Sequence, residues 1–225
     1  MIKAILFDLN GTMIDDMEYH TRAWFGILND DLNANLTLEE VKKEMYGKNS
    51  EVLVRVFGDK KFTMDEMDTL SIEKEKRYQK EFLPELKLIN GLDELLKEAK
   101  ARQIKMAIAS AAIPFNIDFV LDNLHIRNFF GSIVSADDVA TSKPHPETFL
   151  KAAALLEAAP ADCLVFEDAP KGVEAAKSAG MKTVVLTTMH EKDEFAQYDN
   201  VIAFIKDYTD PFIKHLLSTS QITST

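Results

Sequence analysis

Residues 163–186 read CLVFEDAPKGVEAAKSAGMKTVVL. Two short apolar runs, CLVF (163–166) and KTVVL (182–186), flank an amphipathic segment, PKGVEAAKSAG, whose Gly180 suits a helix C-terminus. Working outward, runs of the same kind recur at IKAILF (2–7), KMAIAS (105–110), SIVS (132–135) and VIAFI (201–205). Their β-branched and aromatic content, without strict alternation, reads as strands buried on both faces. Helical segments lie between most of them, with start signals at Asn90 before GLDELLKEAK and at Ser135 followed by Asp138. Strand and helix therefore alternate, which makes the sheet parallel. The expected fold class is α/β, a Rossmann-like parallel sheet core flanked by helices.

From about residue 16 to residue 84 the alternation stops. That stretch has no convincing strand and several helical patterns, with capping boxes at Thr37 with Glu40 and at Thr63 with Glu66. It reads as an all-helical insertion, so the expected division is a core of residues 1–15 and 85–225 with a cap of residues 16–84. Both connections cross one hinge zone, near Asp15 to Asp16 and Leu83 to Glu85, which puts the insertion over the carboxyl edge of the sheet as a lid.

A chain of 225 residues, 46% hydrophobic and 28% charged, is long enough for a real core, burying roughly 70% of its unfolded surface without staples. The formal net charge of −11 repels nucleic-acid phosphates and anionic lipid, and the lysine-rich stretch EKEKRYQKE (73–81) alternates with glutamate as a solvated helix face does. No nucleic acid and no membrane is expected as a partner. Cys163 is the only cysteine, and the apolar run at the N-terminus is broken by Asp8, too soon for a signal-peptide core. These features point to the cytoplasm; a monomer is expected, although the sequence leaves the oligomeric state open. Trp24 and most Phe and Met residues read as core, the histidines form no zinc-like cluster with Cys163, and the polar end STSQITST reads as a frayed terminus.

Asp8, Ser110, Lys143 and the pair Glu167 and Asp168 each lie at or just beyond the carboxyl end of an expected strand, where open parallel sheets hold ligands. Alone, each is an ordinary cap, turn hydroxyl, solvated lysine or polar loop. Their shared placement singles them out.

FDLNGT (7–12), the serine of AIAS (107–110), the lysine of SKPHPE (142–147) and VFEDAPKGVEAAKSAGM (165–181) resemble, in order, the four motifs of the haloacid dehalogenase-like phosphotransferase superfamily. EYHTRAW (18–24) and the helical insertion resemble its β-phosphoglucomutase-like branch. The resemblance implies that Asp8 is the nucleophile of an aspartyl-phosphate intermediate. It implies Mg²⁺ held by Asp8, Asp168 and the backbone carbonyl of residue 10, here Asn10, with Glu167 binding directly or through water. It gives Ser110 and the N–H of Ala111 to the phosphoryl oxygens and Lys143 to the developing charge. In the cap it suggests His20, Lys48, Asn49 and Lys74 as substrate contacts, with Lys76 the alternative to Lys74. The arginine that mutases use for a second phosphate has no clean match.

Asn10 departs from the pattern, since catalysing members carry an aspartate there as general acid and base. An amide cannot exchange that proton, and losing such a group costs about 10²- to 10⁴-fold in rate. An introduced trapping substitution, a slow enzyme and a catalytically silent binding protein are the three readings. The sequence is expected to encode an Mg²⁺-dependent phosphohydrolase of a small phosphorylated metabolite, sugar phosphates foremost. A β-phosphoglucomutase-type mutase and a phosphometabolite-binding protein stand as alternatives.

Overall fold

The computed structural model describes residues 2–219. All six expected strands form: β1 (Ala4–Phe7), β2 (Lys105–Ala109), β3 (Ser132–Val134), β4 (Cys163–Glu167), β5 (Lys182–Leu186) and β6 (Val201–Ile205). They make one sheet in the order β3-β2-β1-β4-β5-β6, parallel throughout. After β1 the chain builds outward through β2 and β3, then crosses to β4 on the other side. The point where the order reverses, at β1 and β4, is where such sheets open a crevice at their carboxyl ends.

Helices cover both faces of the sheet, and apart from Lys105, Ser132, Glu167, Lys182 and Thr183 the strands are apolar. Ile5 and Phe7 point to one side with Ile108, Leu164 and Phe166, against Leu92 and Leu95 of α5 (Leu92–Ala101), Ile117 of α6 (Pro114–Leu124) and Ile213 of α9 (Pro211–Thr219). Ala4 and Leu6 point to the other with Ala107, Ala109 and Val165. There they meet Ala152 and Ala153 of α7 (Glu147–Leu155) and Ala175 and Ala176 of α8 (Pro170–Ser178). Small residues on both partners allow close helix–sheet packing on that face. Helix α8 ends as its sequence suggests, with Gly180 at φ +74° just beyond it.

Between β1 and β2 run α1 (Met17–Phe25), α2 (Leu38–Glu44), α3 (Asn49–Phe57) and α4 (Met64–Phe82), with a π-helical turn at Gly26–Asp31 and a 3-10 turn at Leu83–Glu85. Both expected capping boxes form, at Thr37 with Glu40 and at Thr63 with Glu66. Trp24, Ile27, Leu28, Val41, Val52, Leu53 and Met67 make an apolar cluster of their own, distinct from those beside the sheet. Tyr78 and Phe82, at the far end of α4, join the sheet's cluster instead. The long helix thus ties the insertion to the core.

Two expected start signals are corrected. Ser135 and Asp138 do make a capping box, but only over the turn Ala136–Asp138; Val139 is extended, and Pro144 and Pro146 delay the helix to Glu147. Asn90 does not cap α5, because Gly91 takes that position in a left-handed conformation. The Asn90 carbonyl accepts the Tyr208 N–H at 2.9 Å instead. Of STSQITST, Ser218 and Thr219 continue α9 and the rest lies outside the described residues.

Candidate active site

Asp8 emerges from β1 level with the end of β4, its N–H donating to the Phe166 carbonyl at 3.0 Å. Ser110 leaves β2 beside β3, its N–H donating to Val134 at 2.9 Å. Lys143 comes from the loop between β3 and α7 and is buried, its ammonium donating to Asp8 Oδ1 at 2.6 Å and Glu167 Oε1 at 2.9 Å. The other oxygen of Glu167 accepts the N–H groups of Asp168 and Ala169, both at 2.7 Å. Thr12 Oγ1 donates to Asp168 Oδ1 at 3.0 Å.

Two glycines make room for these carboxylates. A Cβ on Gly11, at φ +73°, would sit 2.1 Å from Asp168 Oδ2, and one on Gly172 would sit 1.6 Å from Glu167 Oε1. The carboxylates rest directly on backbone.

Burial pushes the Asp8 carboxyl up to about 7, against the pull of Lys143. Burial, with Glu167 and Asp8 nearby, also holds Asp168 well above the ordinary range. For Lys143 the two adjacent carboxylates outweigh burial and keep the ammonium protonated. One cation therefore faces three buried carboxylates.

Among the described residues no three Asp, Glu, His or Cys side chains converge as a metal-holding group. Glu167 has both oxygens engaged, which favours its indirect arrangement over direct ligation. What remains is Asp8, Asp168 and the Asn10 carbonyl. Two carboxylates and a carbonyl, hard oxygen donors leaving several positions to water, are a donor set that fits Mg²⁺.

The cavity above this edge is lined from the core by Asp8, Asn10, Ser110, Ala111, Lys143 and Asp168. From the insertion come His20, Trp24, Asn49, Lys74 and Glu75. Lys74 is buried, its ammonium 2.6 Å from His20 Nδ1 and 3.0 Å from Glu75 Oε1; Lys76, the alternative, is exposed. Lys48 is corrected: it does not line the cavity, and its ammonium donates to the Val139 carbonyl at 2.6 Å, strapping insertion to core.

Sequence reasoning missed Asp16, reading it only as part of a hinge. As the residue before α1 it stands in an N-cap position, yet its side chain makes no capping bond. It turns inward, fully buried, and accepts from Asn10 Nδ2 at 2.6 Å, Tyr78 Oη at 2.6 Å and the Gly11 N–H at 3.1 Å. His20 Nε2 lies 3.2 Å away. The same Nε2 lies 2.9 Å from Asn10 Nδ2, and Nδ1 meets the Lys74 ammonium, so the imidazole joins Asn10, Asp16 and Lys74. Burial alone would raise the Asp16 carboxyl, but His20, Tyr78 and Asn10 hold it below the ordinary range. The signal was DD at 15–16, which sequence alone cannot separate into a surface and a buried carboxylate.

Asn10 is therefore fitted to its surroundings. An aspartate there would press a carboxylate against buried Asp16, whereas the exchange Asn10→Asp with Asp16→Asn restores an amide–carboxylate pair. We expect Asn10→Asp alone to lower the melting temperature, and the double exchange to recover much of the loss, with a coupling of about 1–3 kcal/mol in a double-mutant cycle. Additive effects would mean that the two side chains do not interact.

The sequence profile of haloacid dehalogenase-like hydrolases matches residues 5–186. Over 189 residues the chain is 36% identical to a β-phosphoglucomutase of Bacillus subtilis, covering 81% of this chain and 82% of that protein. It is 28% identical over 185 residues to the fructose-1-phosphate phosphatase of Escherichia coli, covering 80% and 94%. The crystal structure of β-phosphoglucomutase from Clostridium difficile superposes with a TM-score of 0.81 at 27% identity, covering 97% of this chain and 98% of that one. With a parallel sheet of matching architecture and the four motif segments brought to one edge, the chain belongs to the haloacid dehalogenase-like hydrolases, on their β-phosphoglucomutase-like branch, and is a hydrolase or phosphotransferase.

Proposed function

We propose that this chain is an Mg²⁺-dependent phosphohydrolase of small phosphorylated metabolites, sugar phosphates foremost, working through an aspartyl phosphate at Asp8. The observation that carries the reading is the buried Asp8, paired with Lys143 at 2.6 Å and lining a cavity shared with the helical insertion. Residues 16–84 then act as a cap domain on a core of residues 1–15 and 85–225. The protein acts as a monomer in this reading, and the buried thiol of Cys163 suits the cytoplasm.

Asp8 attacks phosphorus while the bond to the leaving oxygen breaks; water then attacks the aspartyl phosphate and releases inorganic phosphate. Ser110 and the Ala111 N–H hold phosphoryl oxygens, and Lys143 sits where charge gathers. Asp8, Asp168 and the Asn10 carbonyl would hold Mg²⁺, which supplies charge neutralisation between the anionic nucleophile and the phosphoryl group. His20, Asn49 and Lys74 face the leaving group from the cap. Asn10 faces the cavity at the place of the proton carrier, while Asp16 lies beneath it and outside the cavity lining. The reading is therefore a slow enzyme with an intact phosphate clamp.

The mutase reading draws support from the 36% identity to a β-phosphoglucomutase. Against it, Arg55 is the arginine nearest in sequence to the loop at 45–51. It is engaged by Glu44, by the carbonyls of Glu44 and Tyr46, and by the Tyr46 ring 3.7 Å away, outside the cavity lining. Among the described residues no arginine lines the cavity to meet a second phosphate.

A screen of phosphate esters with Mg²⁺ should give slow phosphate release, and the double exchange Asn10→Asp with Asp16→Asn should raise kcat about 10²- to 10⁴-fold. Production of glucose 6-phosphate from β-glucose 1-phosphate without phosphate release would favour the mutase. Fast turnover by the unaltered chain, lost in His20→Ala, would move the proton transfer to His20.

The raised carboxyl of Asp8 predicts a pH signature. Its folded form binds protons more tightly than the unfolded chain, so its contribution to stability is complete below about pH 4 and is lost as pH rises towards 7. A cation bound between Asp8 and Asp168 offsets that loss. Mg²⁺ should accordingly raise the melting temperature clearly at pH 7.5 and little at pH 5, where protons compete for the carboxylates. Equal shifts at both values would place the cation elsewhere.

A further inference from the structure

The cap wall of the cavity contains one polar atom with nothing to bind. Glu75, on α4, is 2% exposed and lines the cavity. Its Oε1 accepts from Lys74 at 3.0 Å and from Asn49 Nδ2 at 2.9 Å. Its Oε2 is buried without a hydrogen-bond partner among the described residues. His20 Nδ1 lies 3.9 Å from it, beyond hydrogen-bond reach, and already takes the Lys74 ammonium. A buried carboxylate oxygen is too strong an acceptor to leave unpaired without cost. Rotation about the soft terminal torsion of a glutamate turns such an oxygen toward the neighbouring space, which here is the cavity.

The other polar groups on this wall are already committed. Lys74 gives its charge to His20 and Glu75, Asn49 gives its amide to Glu75, and Lys48 reaches out of the cavity to Val139. The buried, partnerless atom on this wall is thus an acceptor bearing negative charge, bordered by apolar Met17, Trp24 and Val52. A second phosphate on the leaving group would bring its oxygens against that carboxylate. An ammonium would meet the charge of Lys74 beside it. An uncharged hydroxyl supplies the missing donor without either penalty.

Resting on the phosphohydrolase reading, we propose that Glu75 determines specificity: the substrate is a monophosphate whose leaving group carries a neutral hydroxyl that donates to Glu75, and bisphosphates are rejected. A site built around such a hydrogen bond discriminates strongly against analogues that lack it. The one cation of the cavity not yet placed is Lys171, half exposed on α8 and 3.8 Å from Glu174.

The test compares hexose 1- and 6-phosphates with the corresponding 1,6-bisphosphates, using the unaltered chain and Glu75→Gln with Mg²⁺. The unaltered chain should favour its best monophosphate over the matched bisphosphate by at least tenfold in kcat/KM. Glu75→Gln should shrink that ratio at least tenfold, chiefly through KM. A bisphosphate used as well as or better than the monophosphate would overturn the proposal and give the second phosphate to Lys171, as would an unchanged ratio in a folded Glu75→Gln protein. If that variant fails to fold, the ratio measured on the unaltered chain decides. Absence of phosphate release from every ester, p-nitrophenyl phosphate included, would instead refute the phosphohydrolase reading itself.

Discussion

A single buried ammonium, Lys143, stands among three buried carboxylates, and the rest of the site depends on that imbalance. Lys143 pairs with Asp8 and Glu167 but leaves Asp168 to a hydroxyl bond from Thr12. In water such a cluster would disperse; here the strand ends hold it in place, because β1 and β4 are neighbours in register and the loop after β3 brings in the lysine. The cost appears as carboxyl groups that favour their protons. A hard cation bound between Asp8 and Asp168 would offset that negative excess.

A second buried carboxylate carries the influence of this edge into the insertion. Asp16 joins Asn10 and Gly11 of the first loop to Tyr78 of α4, and His20 stacks on Tyr78 with ring centroids 3.8 Å apart. Lys74, one turn before Tyr78, holds the other side of the imidazole. Position 10, the hinge and the long helix of the insertion are thus one hydrogen-bonded unit. Such a network resists piecemeal change, because removing one member leaves its partners buried and unpaired. The asparagine that departs from the family pattern is stabilised by the aspartate six residues later.

Much of this was legible in the chain. The six strands were visible because strands covered on both faces must be mostly apolar, and the insertion because its helical periodicity interrupts the alternation. Motif residues at strand ends could be placed by topology alone. Residues whose meaning depends on tertiary contact were not legible. Asp16 and Glu75 look like ordinary acidic residues of helix-rich sequence until burial distinguishes them, and Lys48 looked like a ligand contact until Val139 came within its reach. Ser135 and Asn90 misled for a related reason: capping chemistry was present, but prolines in one case and a left-handed glycine in the other set the helix start. Asn10 was recognised as an anomaly, while its compensation was hidden in the fold.

The central claim is that Asp8 is phosphorylated and that Asn10 slows hydrolysis of the resulting aspartyl phosphate. Acetyl phosphate tests it most directly, because acetate leaves without needing a proton and so bypasses the acid that Asn10 cannot supply. Incubation with Mg²⁺ and labelled acetyl phosphate, then acid quench and peptide mapping, should find stable label on the peptide containing Asp8. In the Asn10→Asp, Asp16→Asn protein the label should appear and decay rapidly. Phosphate release with no label on that peptide at any time in either protein would contradict the account.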